Sequence, residues 1–319
     1  MNAAARPPTW KILLAFATIY FVWGSTFLAI RIGVLEVPPL LFAGIRFTIA
    51  GLVLYLWMRA LGTPSPTGRE WVRLSLLGTL IFLVDYGCLF WAERRVPSGI
   101  AAVVLATIPV FITILDIIVL RSYRLTMRLA IALAVGVAGT AVLMNNSFSF
   151  GEAPIDRAGA AALLIASFTW SIATILTRKL QLPASKPMSA AAQMLVGGLA
   201  LFVAAAAANE FKDFHPSAIS IHSWLALLYL ITAGSIAGFT AYVWLLHYES
   251  PTKVGTYAYV NPVIAVGLGY FLGGEMVGLR TLLGTLLVLV SVVAITTIPK
   301  KVESRRQETI GDMQAAEAD

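Results

Sequence analysis

Three ionisable residues fall inside long apolar runs of this sequence: Arg46, Asp85 and Asp116. A charge in hydrocarbon is costly, so such residues mark substrate paths, proton relays or paired charges. Counted along their runs at 1.5 Å per helical residue, Arg46 sits about 12 Å and Asp85 about 10 Å below the same surface. At matching depth the two are placed to pair, and a functional pair and a structural salt bridge are both open. Asp116 lies about one turn from the end of its run, close enough to reach water. Burial and a neighbouring guanidinium act on a carboxyl group in opposite senses. For proton coupling Asp85, beside Arg46, is therefore the better candidate of the two acids.

A second set is polar and aromatic. In Tyr257-Ala258-Tyr259-Val260-Asn261-Pro262, Tyr257 and Asn261 are four apart and share one helix face. An intramembrane Asn needs a partner or a wet cavity, and Tyr257 and Tyr259 beside it are suited to clamp a substrate. Helix-to-helix hydrogen bonding is the plainer role. Trp23 and Trp170 fall mid-span, away from the interfaces where tryptophan concentrates, with Ser25, Thr26, Thr169 and Ser171 beside them. Cavity lining and tight packing through Gly24 both fit. Pro109 and Pro262 each fall near the middle of a run. A mid-helix proline removes one backbone bond and frees a carbonyl, so each marks a hinge at the substrate site or a simple kink.

Other chemistry is unsupported. There is no G-x-x-x-x-G-K-[ST], H-E-x-x-H or G-x-S-x-G run. His215, His222 and His247 are too few and scattered to suggest a metal centre, and the single Cys88 forms no intrachain disulfide. No cofactor is expected. The net charge of +7 does not point to nucleic acid, because the basic residues sit in short gaps between apolar runs. The expected partners are a small-molecule substrate and membrane lipid, with the chain a monomer or a homodimer.

These residues must be positioned by membrane-spanning helices. Of 319 residues, 59% are hydrophobic and 12% charged, half the charged share of roughly 25% in soluble domains. Spans of about 20 apolar residues are expected at 11–31, 38–59, 71–92, 98–120, 128–146, 157–178, 187–208, 222–246, 252–272 and 279–298. The first, too long for a signal peptide, is read as retained. The fold class is an all-α membrane protein of ten helices. Sixteen Lys and Arg fall in the even-numbered gaps and tails and six in the odd-numbered gaps. That bias puts both termini in the cytoplasm, which requires an even number of spans.

The chain also repeats. Trp23 answers Trp170, Pro39 answers Pro187 and Pro109 answers Pro262, at separations of 147, 148 and 153 residues. Five helices per half make the second half enter the membrane inverted, as in secondary transporters. The halves are 1–147 and 148–299, followed by a polar cytoplasmic tail, 300–319.

FVWGSTFLAIRIG from Phe21, PPLLFAGIRFTIAG from Pro38, VPSGIAAVVLATIPVF from Val96 and YAYVNPVIAVGLGYFLGGE from Tyr257 resemble one family. It is the EamA-type, ten-helix branch of the drug/metabolite transporter superfamily, in particular its bacterial inner-membrane exporters. The resemblance covers about residues 10 to 298 and implies two EamA repeats around a central cavity open to alternate sides. The family's leucine–glycine–glutamate run is kept at Leu272-Gly273-Gly274-Glu275, whereas its first-half counterpart has Ser122. The expected function is secondary export of small metabolites, amino acids or drugs across the bacterial inner membrane by alternating access, and the chain is not expected to be an enzyme. A channel-like or scaffold membrane protein, or an intramembrane enzyme on lipid-linked substrates, is the alternative. Asp85 and Asp116 do not form the acid pair that such an enzyme needs.

Overall fold

A backbone amide in hydrocarbon has no water to bond, so each spanning segment must satisfy its own backbone. The computed structural model describes residues 7–120, 126–145, 154–249, 254 and 256–297, which hold helices and no strand. Ser122, Asn146, Ser147 and the 300–319 tail lie outside the described residues, as does the side chain of His247. The helices are α1 (Thr9–Glu36), α2 (Pro39–Ala60) and α3 (Gly68–Glu93, π-helical over Thr79–Tyr86). Then come α4 (Ser98–Val119), α5 (Met127–Met144), α6 (Arg157–Lys179) and α7 (Lys186–Ala207). α8 joins Ile221–Tyr229, a π-helical Leu230–Ala237 and Gly238–Tyr248, and α9 (Tyr257–Phe271) and α10 (Leu279–Thr296) follow. Among the described residues, nine helices are long and apolar enough to cross a membrane. α9 has 15 described residues, and 250–253 and 255 before it lie outside the description.

Most boundaries fall where the turn chemistry puts them. Thr67 and Glu70 form a capping box at the start of α3. Thr126, Asp156, Ser185 and Ser220 cap α5, α6, α7 and α8 through their side chains. α1 departs from expectation: it continues past Arg31 to Glu36. Both charges are used to hold neighbouring segments. Arg31 Nη1 donates to the carbonyls of Glu93 and Val96 at the end of α3, and Glu36 accepts from Ser220 N at 2.8 Å, at the start of α8. Glu210, between α7 and α8, likewise accepts from Leu41 N at 2.8 Å in the first turn of α2. Burial pushes the Glu210 carboxyl above the usual carboxylate range, against the pull of the Leu41 and Leu40 amides.

The packing is reciprocal between the halves. α2 packs on α7, α5 on α10 and α4 on α9. α1 packs on α8 and α9, while α6 packs on α3 and α4. Adding or subtracting five from each number turns this set of pairs into itself. Small residues set the approach of α2 and α7: a Cβ on Gly198 would lie 2.4 Å from Thr48 Oγ1 and 2.6 Å from Thr48 N.

Gly198→Ala should therefore destabilise the protein by about 1–3 kcal/mol, as overpacking does. Gly267→Ala, into open space in α9, should be neutral or stabilising by up to about 1 kcal/mol. Thermal unfolding of the two variants in one detergent checks this contrast. Equal melting temperatures would show that α2 and α7 do not pack this closely.

Candidate functional site

The site grows from places where the helical ladder is interrupted. A π-helical stretch widens the turn and often marks function. Among the described residues the two longest π segments have eight residues each and begin 151 residues apart, at Thr79 and Leu230. Within the second, the Ser235 hydroxyl donates to Leu230 O at 3.0 Å, and Trp23 Nε1 donates to Gly234 O at 3.2 Å. α4 is interrupted in another way. Its α-helical pieces are Ser98–Leu105 and Ile108–Leu115, separated just before Pro109. Across that break stands α6, with the Ser167 and Ser171 hydroxyls within 3.4 Å of Val104 O and 3.2 Å of Ile108 O. Pro262 behaves differently, lying inside the α9 helix without ending it.

Trp23, Tyr242 and Tyr257 meet as one cluster. Ring centroids are 4.9 Å apart for Trp23 and Tyr257, edge-on, and 5.4 Å for Trp23 and Tyr242. Ser25 bonds the Tyr229 hydroxyl at 2.6 Å, fastening α1 to α8. Trp170 stands edge-on to Tyr86 at 6.2 Å, and the Tyr86 ring in turn lies 5.5 Å from the guanidinium carbon of Arg46. Trp23, Ser25, Trp170, Tyr257, Tyr86 and Tyr229 are all half-buried, although they sit on mid-bundle stretches. Asn261 takes the structural role. With its amide oriented to suit its neighbours, its nitrogen donates to the carbonyls of Tyr20 and Tyr257, each at 3.1 Å.

Other expected contacts are not made. Tyr259 points to α10, where its hydroxyl bonds Thr296, so it does not form a clamp with Tyr257. Arg46 and Asp85 are not an ion pair. Arg46 is 3% exposed; its Nε donates to Ser235 Oγ at 3.2 Å and its Nη1 has no hydrogen-bond partner. Asp85 is 1% exposed, and its Oδ1 also lacks one. Asp116 does not open to water: it is 1% exposed, at the start of the π turn that ends α4.

The rings explain how Arg46 stands without a carboxylate beside it. A lone cation mid-span costs about 2.5–3.5 kcal/mol on insertion scales. Phe47, Tyr86 and Phe90 place ring centroids 4.7, 5.5 and 5.9 Å from its guanidinium carbon. Each such contact contributes about 0.5–1 kcal/mol at exposed sites and about 2 kcal/mol when desolvated, so the set is comparable to the cost.

Three important residues escaped the sequence reading. Glu93, at the end of α3, is fully buried, and neither of its carboxyl oxygens has a hydrogen-bond partner. Tyr86 and Tyr229 join the centre from α3 and α8. Glu275 also has a defined role. Gly274, at φ +64°, turns the chain back after α9, a conformation glycine adopts without strain. The Glu275 carboxylate then accepts from Ser98 N at 2.6 Å and Gly99 N at 3.0 Å. It caps α4, where the helix dipole favours an anion.

Comparison with known proteins now assigns the family. The EamA-like transporter family model matches residues 9–145 and again 157–297. The chain belongs to this family. A protein of Escherichia coli strain K12 described as "uncharacterized inner membrane transporter YedA" is 36% identical over 285 residues, covering 88% of this chain and 89% of that one. PagO of Salmonella typhimurium is 26% identical, covering 86% of this chain and 88% of its own. PecM of Dickeya dadantii is 27% identical, covering 90% and 94%. A crystal structure at 21% identity covers 90% of this chain and 97% of its own with a TM-score of 0.59, a likeness of fold. Membership in this family and the apolar helices make the chain a multi-pass membrane protein.

In a double-mutant cycle, Arg46→Gln and Asp85→Asn should couple by less than about 0.5 kcal/mol, as for sites that do not touch. Coupling of a few kcal/mol in thermal or denaturant unfolding would restore the ion pair. Glu275→Ala should cost about 0.5–2 kcal/mol, the range for losing a helix N-cap, with Glu275→Gln losing less. Unchanged unfolding in both Glu275 variants would refute the capping role.

Proposed function

We propose that this chain is a secondary transporter of the inner membrane that moves a small molecule through a site between its halves by alternating access. Its architecture is ten spanning helices in two inverted repeats, 1–147 and 148–299, with both termini and the 300–319 tail in the cytoplasm. The observation that carries this reading is the reciprocal packing. α1 of the first half packs on α9 of the second, and α6 of the second on α4 of the first. Two π segments of equal length, 151 residues apart, support the same two-fold relation. So does the double match to one family model. A relation of that kind places matched interrupted helices on either side of one central site.

The interruptions supply hinges where a helix bends without leaving its backbone bare. Pro109 marks one in α4, and Pro262, its counterpart by position, is a kink point inside the continuous α9. Trp23, Ser25, Trp170 and Tyr257 line the space between them, with Tyr86, Tyr229 and Arg46. The clamps at Arg31, Glu36, Glu210 and Glu275 close one end of the bundle, and transport requires that they part. Export is the direction the family resemblance favours, driven by a gradient or by exchange.

A thermal-shift screen of the purified protein against amino acids, nucleosides and drugs, followed by counterflow of a stabilising compound in proteoliposomes, tests the proposal. Saturable flux accelerated by unlabelled compound on the far side is expected. Flux that never saturates would indicate a channel, and binding without any flux would contradict transport.

A further inference from the structure

We propose that Arg46 is the recognition point for a carboxylate on the transported molecule, so that the substrate class is small organic monoanions and not cations. The inference rests on the transport reading above and narrows it.

Arg46 is the guanidinium at the middle of the bundle, and its hydrogen-bonding capacity is only partly used. Nε is engaged by Ser235 Oγ at 3.2 Å, while Nη1 is buried with no partner. Buried polar atoms in folded proteins are nearly always paired, so each exception calls for an explanation. Here the surroundings are built and not accidental. Ser235 spends its own proton on Leu230 O at 3.0 Å, which leaves an oxygen lone pair for Arg46. That geometry exists because α8 is π-helical over Leu230–Ala237. Beside it Gly234 carries no side chain, and a Cβ there would lie 3.3 Å from Arg46 Nη2. The faces of Phe47, Tyr86 and Phe90 hold the guanidinium plane without consuming N–H donors. Rings compensate a cation yet leave its N–H groups available, whereas a carboxylate would occupy them.

A fixed guanidinium fork matches a carboxylate. Its single charge matches one negative charge, which favours a carboxylate over a doubly charged phosphate. Glu93, the fully buried acid at the end of α3, does not occupy these donors: neither of its carboxyl oxygens has a hydrogen-bond partner, and Arg46 Nη1 stays vacant. An incoming anion finds donors; an incoming cation finds a guanidinium. Tyr86, Tyr229 and Trp170, half-buried around the same centre, offer apolar faces for the rest of the molecule.

The test uses full-length protein and matched acid–amide pairs: acetate with acetamide, benzoate with benzamide, and benzylamine as the cation. Binding is followed by intrinsic tryptophan fluorescence and thermal shift. At least one acid should bind about tenfold more tightly than its amide, as expected for one charge-assisted hydrogen bond. Arg46→Gln should erase that preference and Arg46→Lys keep part of it. If no acid is preferred over its amide in the wild-type protein, the proposal is overturned without recourse to a variant. A preference that survives intact in folded Arg46→Gln overturns it too. Saturable counterflow of benzylamine or benzamide, with no preference for acids, would leave the transport reading standing while removing Arg46 as an anion site. Acid binding that depends on Arg46 but yields no flux would do the reverse.

Discussion

One constraint runs through this molecule: inside a bilayer, backbone polar groups must be satisfied within the protein. The helical ladder is interrupted in several places, and polar side chains hydrogen-bond carbonyls at or near them. Trp23 of α1 serves Gly234 O in the α8 π segment, and Ser235 serves Leu230 O within it. Ser167 and Ser171 of α6 flank the break in α4. Asn261 serves the carbonyls of Tyr20 and Tyr257. The polar residues of the helix centres are there first to make an interrupted backbone tolerable. Because they gather where the ladder opens, they also surround the place where a substrate is proposed to bind.

The same economy governs charge. Arg31 and Glu275 are spent on the two helix ends that flank the α3–α4 connection, where partial charges of the backbone complement them. Glu36 and Glu210 are spent on the first turns of α8 and α2. These clamps fix connections at one end of the bundle and need no ion pair. Arg46 is treated differently. Its charge is met by ring faces and its donors are only partly occupied, which separates a residue held for binding from residues held for structure.

Much of the fold was legible because a bilayer leaves few alternatives to helix, and nearly all helix positions followed from hydropathy and turn residues. Azimuth was not legible. Arg46 and Asp85 were not brought into contact, because nothing in a residue count says which way a π-helical segment turns its side chains. Tyr259 failed for a simpler reason. Residues two apart on a helix do not share a face, so Tyr257 reached the centre with Trp23 while Tyr259 reached α10. Glu93 was missed because it lies at a helix boundary, where an acid reads as loop. The role of Glu275 depends on Gly274 turning the chain back toward α4, a contact between distant segments that only the structure reveals.

The central claim is that the space around Trp170 and Tyr86 opens alternately to the two sides of the membrane. Cysteine labelling tests it most directly. In a Cys88→Ser background, Trp170→Cys is exposed to a membrane-impermeant maleimide in right-side-out and in inside-out vesicles, with Phe168→Cys, on the exposed surface of the same helix, as the comparison. The account predicts that Trp170→Cys is labelled from both sides and Phe168→Cys from neither. Labelling of Trp170→Cys from neither side, or from one side only under every condition, would contradict it.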